Sequence, residues 1–439
     1  MGQEPRTEVA QGEPVLIPGE HYYSREVARL EEERMWPKVW LIVCREQELE
    51  RVGDFVTHDL GRESFFVVRT QSGVKGFYNV CQHRGRRLKD GCGNSGKSVY
   101  CPFHGWRWNL DGSLLERTDA ADWQNEPLCS DAEVTLKEVR LGTWGGWVWA
   151  TMDPDAKPLL DYLAPIPEIL APIDLQDCKI AWHKILHFPC NWKLVLDAFN
   201  EGYHTLGTHG QMQKYGQPNT ISGAFGDHAW FTYAPDMANA RVSGALDYRQ
   251  IMLDANVELL ETLKCLQSEY TVEAARRLFD ALPADAGPER VFAKYFELHR
   301  MVMEESGAKW PERLDLETMG TIGTDYHMFP NTICLPTPDG AQWYRCRPDG
   351  DDPEKCVFEV WWLRRFPPGE EPPIRHDEYQ TLEAFEGENP FMEQDFGNLL
   401  ASQRGVHSRG FQGLRTCAAQ EMPVRNFHRV LDRYLSGDA

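Results

Sequence analysis

No stretch of this 439-residue chain is long and apolar enough to cross a bilayer as a helix. The opening residues, Met1-Gly2-Gln3-Glu4-Pro5-Arg6, lack the basic-then-apolar pattern of a secretory leader. Basic side chains are in the minority: 46 Lys and Arg stand against 67 Asp and Glu, a net charge of −21. Such a chain repels nucleic-acid backbones and anionic headgroups, which argues against nucleic acid or membrane as a main partner. No internal repeat is visible, so a repeat architecture is not expected. The 12 cysteines are scattered and do not frame a secreted disulfide scaffold. Most of them read as buried or incidental thiols, and the expected setting is cytoplasmic.

Two cysteines depart from the scatter. Cys81-Gln82-His83-Arg84-Gly85 is answered, with seventeen residues between His83 and Cys101, by Cys101-Pro102-Phe103-His104-Gly105. Each short loop offers one thiolate and one imidazole. A structural zinc site can use the same donor set, but zinc fingers usually pair like ligands within each half. Here each half is mixed, and Gly85, Gly91, Gly93 and Gly105 suit tight loops folding over a cluster. Two cysteines on one iron and two histidines on the other would make a two-iron centre. Replacing thiolate by neutral imidazole lifts its potential to roughly −150 to +300 mV, against about −400 mV for all-cysteine ferredoxins. At these residues the chain resembles the Rieske family, specifically the large (alpha) subunit of Rieske non-heme iron ring-hydroxylating oxygenases.

Around the loops the pattern is β-rich. Val39–Cys44, Phe55–Leu60, Ser64–Arg69 and Val74–Val80 alternate with turn residues, and 144–149 reads as a closing strand. An all-β unit over 38–157 follows. Residues 1–37 read as an arm and a charged helix from Ser24 to Trp36, with Ser24 as N-cap, packing on what comes later. Residues 158–439 are mixed: strands at Trp182–Phe188, Ala229–Tyr233, Asn331–Pro336, Gln342–Arg347 and Cys356–Arg365, and helices at 376–386, 391–403 and 422–436. A helical block at 246–305 is expected to cover a pocket entrance. The fold class is α+β.

A second cluster of donors lies in Asn191–His209. Read as one helix from Asn191 to His204, it places Trp192, Leu196, Phe199 and Tyr203 on a core stripe, with Asp197, Glu201 and His204 opposite. His209 would point about 140° from His204 on a continuous helix. Gly207 can end that helix and let both imidazoles converge. Two histidines and a carboxylate make the facial triad of non-heme Fe(II) oxygenases. A solvated acidic helix face is the plainer alternative.

The resemblance becomes specific here: the family carries Asn-Trp-Lys, an acidic residue three before the His of a Tyr-His, and a second His five residues on. This chain shows Asn191-Trp192-Lys193, Glu201, Tyr203-His204 and His209. It implies His204, His209 and a late carboxylate as ligands of a mononuclear Fe(II). Asp395 matches that carboxylate, with Glu393 as runner-up. It implies Glu201 as the acid that joins His204 to His83 or His104 of a neighbouring subunit, with Asp197 as support on the same face. Many members have Asp at the Glu201 position.

The resemblance further implies an N-terminal Rieske [2Fe-2S] domain held by Cys81, His83, Cys101 and His104. A helix-grip (START-like, SRPBCC) catalytic domain with an antiparallel sheet follows. The implied activity is that of the terminal oxygenase of a multicomponent system, hydroxylating an aromatic or related cyclic substrate for aromatic compound catabolism. N- or O-demethylation by a monooxygenase is the alternative, and a Rieske electron carrier or a zinc-stapled binding protein are remote ones. The implied partners are a ferredoxin and/or flavin reductase, O2, and further copies in a homotrimer or an α3β3 ring with a small subunit. Phe199, Met212, Phe225 and Phe231 are the expected pocket residues.

Overall fold

A computed structural model describes residues 15–215, 219–234 and 247–438. The chain divides into two compact units, one of residues 30–162 and one in which residues up to 29 join those from 163 onward. The boundary therefore falls inside the charged helix expected at 24–36. Ser24 does cap it, its Oγ accepting the Val27 N–H at 3.4 Å. However, the α-helix is only Arg25–Leu30, relaxing into a wider turn at Glu31–Met35 and a 3₁₀ turn at Trp36–Lys38. The expected arm of residues 1–37 is split between the two units, and its first fourteen residues lie outside the described ones.

The smaller unit is all antiparallel β. Gly73–Tyr78, Glu63–Thr70, Asp54–Leu60 and Cys92–Asn94 form one sheet, and Arg140–Trp144, Trp147–Thr151 and Leu41–Arg45 a second. The segment expected as one closing strand is a two-residue hairpin. Gly145 and Gly146 both have positive φ (63° and 76°), the conformation that a tight hairpin turn requires and that glycine adopts without penalty. Phe66, Val68, Phe77, Val99, Trp106 and Trp108 pack into one core with Cys81 and Cys101, so the two loops are built on the packed interior.

The larger unit is organised on an eight-stranded sheet among the described residues. Its order is Asn219–Phe225, His228–Ala234, Asp325–Met328, Thr332–Thr337, Gly340–Pro348, Cys356–Arg364, Lys179–Phe188 and His376–Tyr379. All neighbours are antiparallel except the last, which runs parallel to Lys179–Phe188. That last strand corrects the helix expected at 376–386, of which only Leu382–Phe385 is helical. Pairing covers the edge of Lys179–Phe188, and Lys184 Nζ reaches Tyr379 Oη at 3.2 Å, so tertiary contacts outweigh local propensity. Met422–Ser436 packs on the strands Asn219–Phe225 and His228–Ala234, and Trp192–Phe199 on Gly340–Pro348. The helical block resolves into Tyr248–Thr262, Glu269–Ala281 and Pro288–Ser306. Its first helix clasps the segment after His209, Glu258 accepting from Lys214 at 2.6 Å and from Tyr215 Oη at 2.5 Å.

Buried histidines give this unit a defined acid sensitivity. His327 is wholly enclosed, with Nε2 3.2 Å from the Pro330 carbonyl and its ring against Phe427. Burial outweighs the Pro330 carbonyl and, with His228 and His428 nearby, lowers its pKa to about 3. Below the unfolded value of 6.5 the unfolded chain takes up a proton that the folded chain refuses. Stability is therefore lost as pH falls from 6.5 toward 3, at about 1.4 kcal/mol per pH unit from this one group. His327→Gln should lack that component. Its urea midpoint should fall less steeply than the wild type's between pH 6.5 and 5; equal slopes would show that His327 protonates freely in the folded state.

Candidate active site

The two Cys/His loops are built alike. Cys81 N–H donates to the Arg86 carbonyl (2.8 Å) and Cys101 N–H to the Trp106 carbonyl (2.9 Å). Gly85 N–H then donates back to the Cys81 carbonyl (2.9 Å), and Gly105 N–H to that of Cys101 (3.0 Å). Both glycines sit at positive φ, 72° and 81°, which explains why that residue recurs four positions after each cysteine. Both thiols are buried and neighbour one another, while the two imidazoles lie side by side with centroids 4.6 Å apart. His83 stacks on Trp106 at 4.7 Å, and its buried Nδ1 has no hydrogen-bond partner among the described residues. Paired thiols, paired imidazoles and an orphaned ring nitrogen fit a two-iron cluster with mixed ligation.

In the larger unit Trp192–Phe199 is a helix capped by Asn191, whose side chain accepts the Lys193 N–H. Trp192, Leu196 and Phe199 are buried as the helical pattern predicts. The helix does not continue to His204: it ends at Asn200, and the chain turns. The cause is Glu201, whose Oε2 accepts the backbone N–H groups of Tyr203 and His204 and so starts a new turn at Thr205–Thr208. Two expectations fail with the long helix. Tyr203 is exposed, not core, and Gly207 lies within the new turn, not at the end of the old one. Asp197, expected on one face with Glu201 and His204, is buried elsewhere, its Oδ2 held by Tyr22 Oη (2.7 Å) and His428 Nε2 (3.0 Å). It ties the helix to two distant parts of the unit.

His204 and His209 nevertheless converge with Asp395, the donor atoms of all three lying within 4.8 Å of one another. Asp395 Oδ1 is 3.2 Å from His209 Nε2 and 3.7 Å from His204 Nε2. Donors held about 2.1 Å from one metal in cis positions lie about 3 Å apart, so the cluster fits a single ion with small adjustment. Both imidazoles face inward through Nε2 because each Nδ1 is occupied. His204 Nδ1 donates to Glu201 Oε1 (2.8 Å), and His209 Nδ1 to Gln394 Oε1 (2.8 Å). Such partners fix the ring and its tautomer. Phe391 stacks on His209 at 3.8 Å.

Asp395, Gln394 and Phe391 all come from Pro390–Gly405, a helix capped by Asn389. Glu393, the runner-up to Asp395, is occupied at that helix start, accepting the N–H groups of Gly387 (2.8 Å) and Asn389 (3.2 Å). Gln394 is not legible in the sequence, because an amide at a helix start carries no signal of its own.

Residues 175–437 match the family model of the ring-hydroxylating alpha subunit, catalytic domain. The chain belongs to that family. Residues 39–127 of this alpha subunit match the Rieske [2Fe-2S] domain model, so its cofactors are a Rieske cluster and a mononuclear iron. It is similar to the carnitine monooxygenase oxygenase subunit of Escherichia coli K12, 33% identical over 196 residues, 44% of this chain and 52% of the relative. The glycine betaine monooxygenase oxygenase subunit of Pseudomonas aeruginosa is 30% identical over 201 residues, 45% and 46% of the two chains. These matches span about half the length of the curated relatives. Among solved structures, the quaternary ammonium Rieske monooxygenase CntA shares the fold with a TM-score of 0.65 at 18% identity over 99% of both chains. Naphthalene 1,2-dioxygenase from Rhodococcus sp. does so with 0.63 at 18% identity, over 97% and 95%.

Of the expected pocket residues of the alpha subunit, Phe199 and Phe231 are buried; Phe199 packs on Tyr344 with centroids 5.0 Å apart. Met212 is half-buried in the turn after His209. Phe225 lies on the opposite face of the sheet from Phe231, packed on Trp230, because strand alternation turns it away. No described helix is long and apolar enough to cross a membrane.

Proposed function

We propose that this alpha subunit is the terminal oxygenase of a multicomponent system. It takes electrons from a ferredoxin or flavin reductase and uses O2 to oxygenate a small organic molecule. The observation that carries this reading is the convergence of His204, His209 and Asp395, both imidazoles turned inward, in a chain that also carries the paired Cys/His loops. In this reading Cys81, His83, Cys101 and His104 hold the cluster, and His204, His209 and Asp395 the single iron. When bound, the cluster supplies electrons one at a time and the mononuclear iron the place where O2 is activated.

The chain's own residues do the rest. Glu201 and Gln394 keep each Nδ1 protonated and each Nε2 free to ligate. Phe391 covers one face of His209, and Phe199 with Tyr344 walls the interior side. Asp395 is the one anionic donor of the three, so it leaves a divalent iron one positive charge to offset elsewhere. Glu201 further joins His204 to a cluster histidine of a neighbouring copy in a head-to-tail ring of three. Inter-subunit electron transfer is described for a quaternary ammonium Rieske monooxygenase of this fold, which supports such a route.

The relatives named for carnitine and glycine betaine favour the alternative substrate class over aromatic rings: monooxygenation of an N-methylated compound. Turnover under labelled O2 on a panel of quaternary amines, aromatic acids and hydrocarbons tests the reading. Label from O2 should enter a product. Metal-loaded, reduced protein that labels none of them would overturn it.

A further inference from the structure

The inner face of the large sheet carries a carboxylate that nothing in the architecture explains. Asp325 is 0% exposed, and neither carboxylate oxygen has a hydrogen-bond partner among the described residues. Other buried acids of this unit are matched: Glu359 by Arg345 and Arg347, Asp339 by Ser268, Asp197 by Tyr22 and His428. A buried acid without a partner is costly and rare, so its surroundings matter.

Those surroundings lead to the iron-binding residues. Asp325 lies directly opposite Phe231 across the strand pair, and Tyr233, two residues further on the same face, packs its ring 5.8 Å from Phe231. Tyr233 Oη reaches Thr205 Oγ1, beside His204, at 3.4 Å. Tyr233 still keeps 37% of its surface accessible. In the other direction His327, Ile333 and Tyr344 follow in register on the face that carries Asp325. Tyr344 then meets Phe199. Both phenols stand in the electrostatic fields of Asp325 and Asp395 at once. Tyr233 and Tyr344 thus lie within electrostatic reach of both the orphan carboxylate and the carboxylate of the triad.

We propose that Asp325, walled by Phe231, Tyr233 and Tyr344, is the counter-ion subsite for an alkylated ammonium group of the substrate. A quaternary ammonium cannot donate a hydrogen bond, so it is recognised by charge and by the negative faces of aromatic rings. This subsite offers both. A neutral hydrocarbon would leave Asp325 unmatched and gain nothing from it. Burial alone pushes the Asp325 carboxyl well above the usual carboxylate range, which favours its neutral form. A cation placed against it draws it back to carboxylate. The proposal rests on the oxygenase reading only for where the substrate sits.

The test is calorimetric binding to the metal-loaded protein with charged probes and their neutral isosteres: phenyltrimethylammonium against tert-butylbenzene, and choline against 3,3-dimethylbutan-1-ol. At least one cation should bind about tenfold or more tighter than its isostere. Asp325→Asn should erase that preference with the neutral isostere unaffected and the unfolding temperature no lower. Tyr233→Leu, at a partly accessible position, should reduce it as well, which keeps the test open if Asp325→Asn folds poorly. Isosteres that bind as tightly as the cations, or a preference that survives both substitutions, would overturn the proposal. Labelled oxygen entering neutral aromatics with no cation preference would overturn it and leave the oxygenase reading standing. A preference lost in Asp325→Asn, in a protein that labels no product, would do the reverse.

Discussion

Asp395→Ala is expected to lower the iron content from the three atoms that a [2Fe-2S] cluster and one mononuclear iron supply to two, with product formation abolished. Asp395 is the only anion among the three converging donors. Removing it leaves two neutral imidazoles facing a divalent cation in a largely buried setting, where uncompensated charge is most costly. The cluster should be untouched, because its four donors belong to the other compact unit. Metal analysis, together with the visible and paramagnetic signature of the reduced cluster, separates this result from general unfolding. Glu393→Ala is the control. Its carboxylate caps a helix start, so all three irons should remain. Three irons in the Asp395 variant would mean that another group completes the site.

Glu201→Gln should produce the opposite pattern, with full iron and slow turnover. As a carboxylate, Glu201 accepts from the Tyr203 and His204 backbone and from His204 Nδ1. An amide offers a single acceptor oxygen and presents its NH2 to one of these donors. The backbone turn or the imidazole must lose a partner, and His204 loses its fixed orientation. Outer-shell changes of this kind cost about 10–100-fold in metal affinity or activity. With iron saturating, the loss should appear in the rate at which the reduced cluster is reoxidised after mixing with O2 and substrate, followed by absorbance. Native rates with both metals bound would remove Glu201 from the electron route.

What the chain discloses before folding depends on how local each signal is. The Cys/His loops are legible because donor and glycine recur at a fixed offset, and the structure supplies the reason in the paired Cys-to-Gly turns. His204 and His209 are legible as a pair. The helix expected from Asn191 to His204 stops at Asn200, because Glu201 bonds to its own backbone neighbours and breaks the 3.6-residue period. Asp197 misled for a different reason: its partners, Tyr22 and His428, come from opposite ends of the chain. Gln394 and Asp325 were invisible. Each matters through what surrounds it, and a short strand such as Asp325–Met328 has too few residues to show a period.

The origin of Asp395 also dictates an order of assembly. The two imidazoles and the carboxylate of the triad are separated by more than the whole length of the smaller unit. During synthesis the Cys/His loops have emerged, with most of their sheet, long before Pro390–Gly405 exists. A ribosome-bound chain can thus close its cluster pocket while His204 and His209 still wait for their anion. Such distant closure is slow relative to local structure. The catalytic triad is thus complete only once Pro390–Gly405 has emerged, whereas the four donors of the Cys/His loops are all present within residues 30–162.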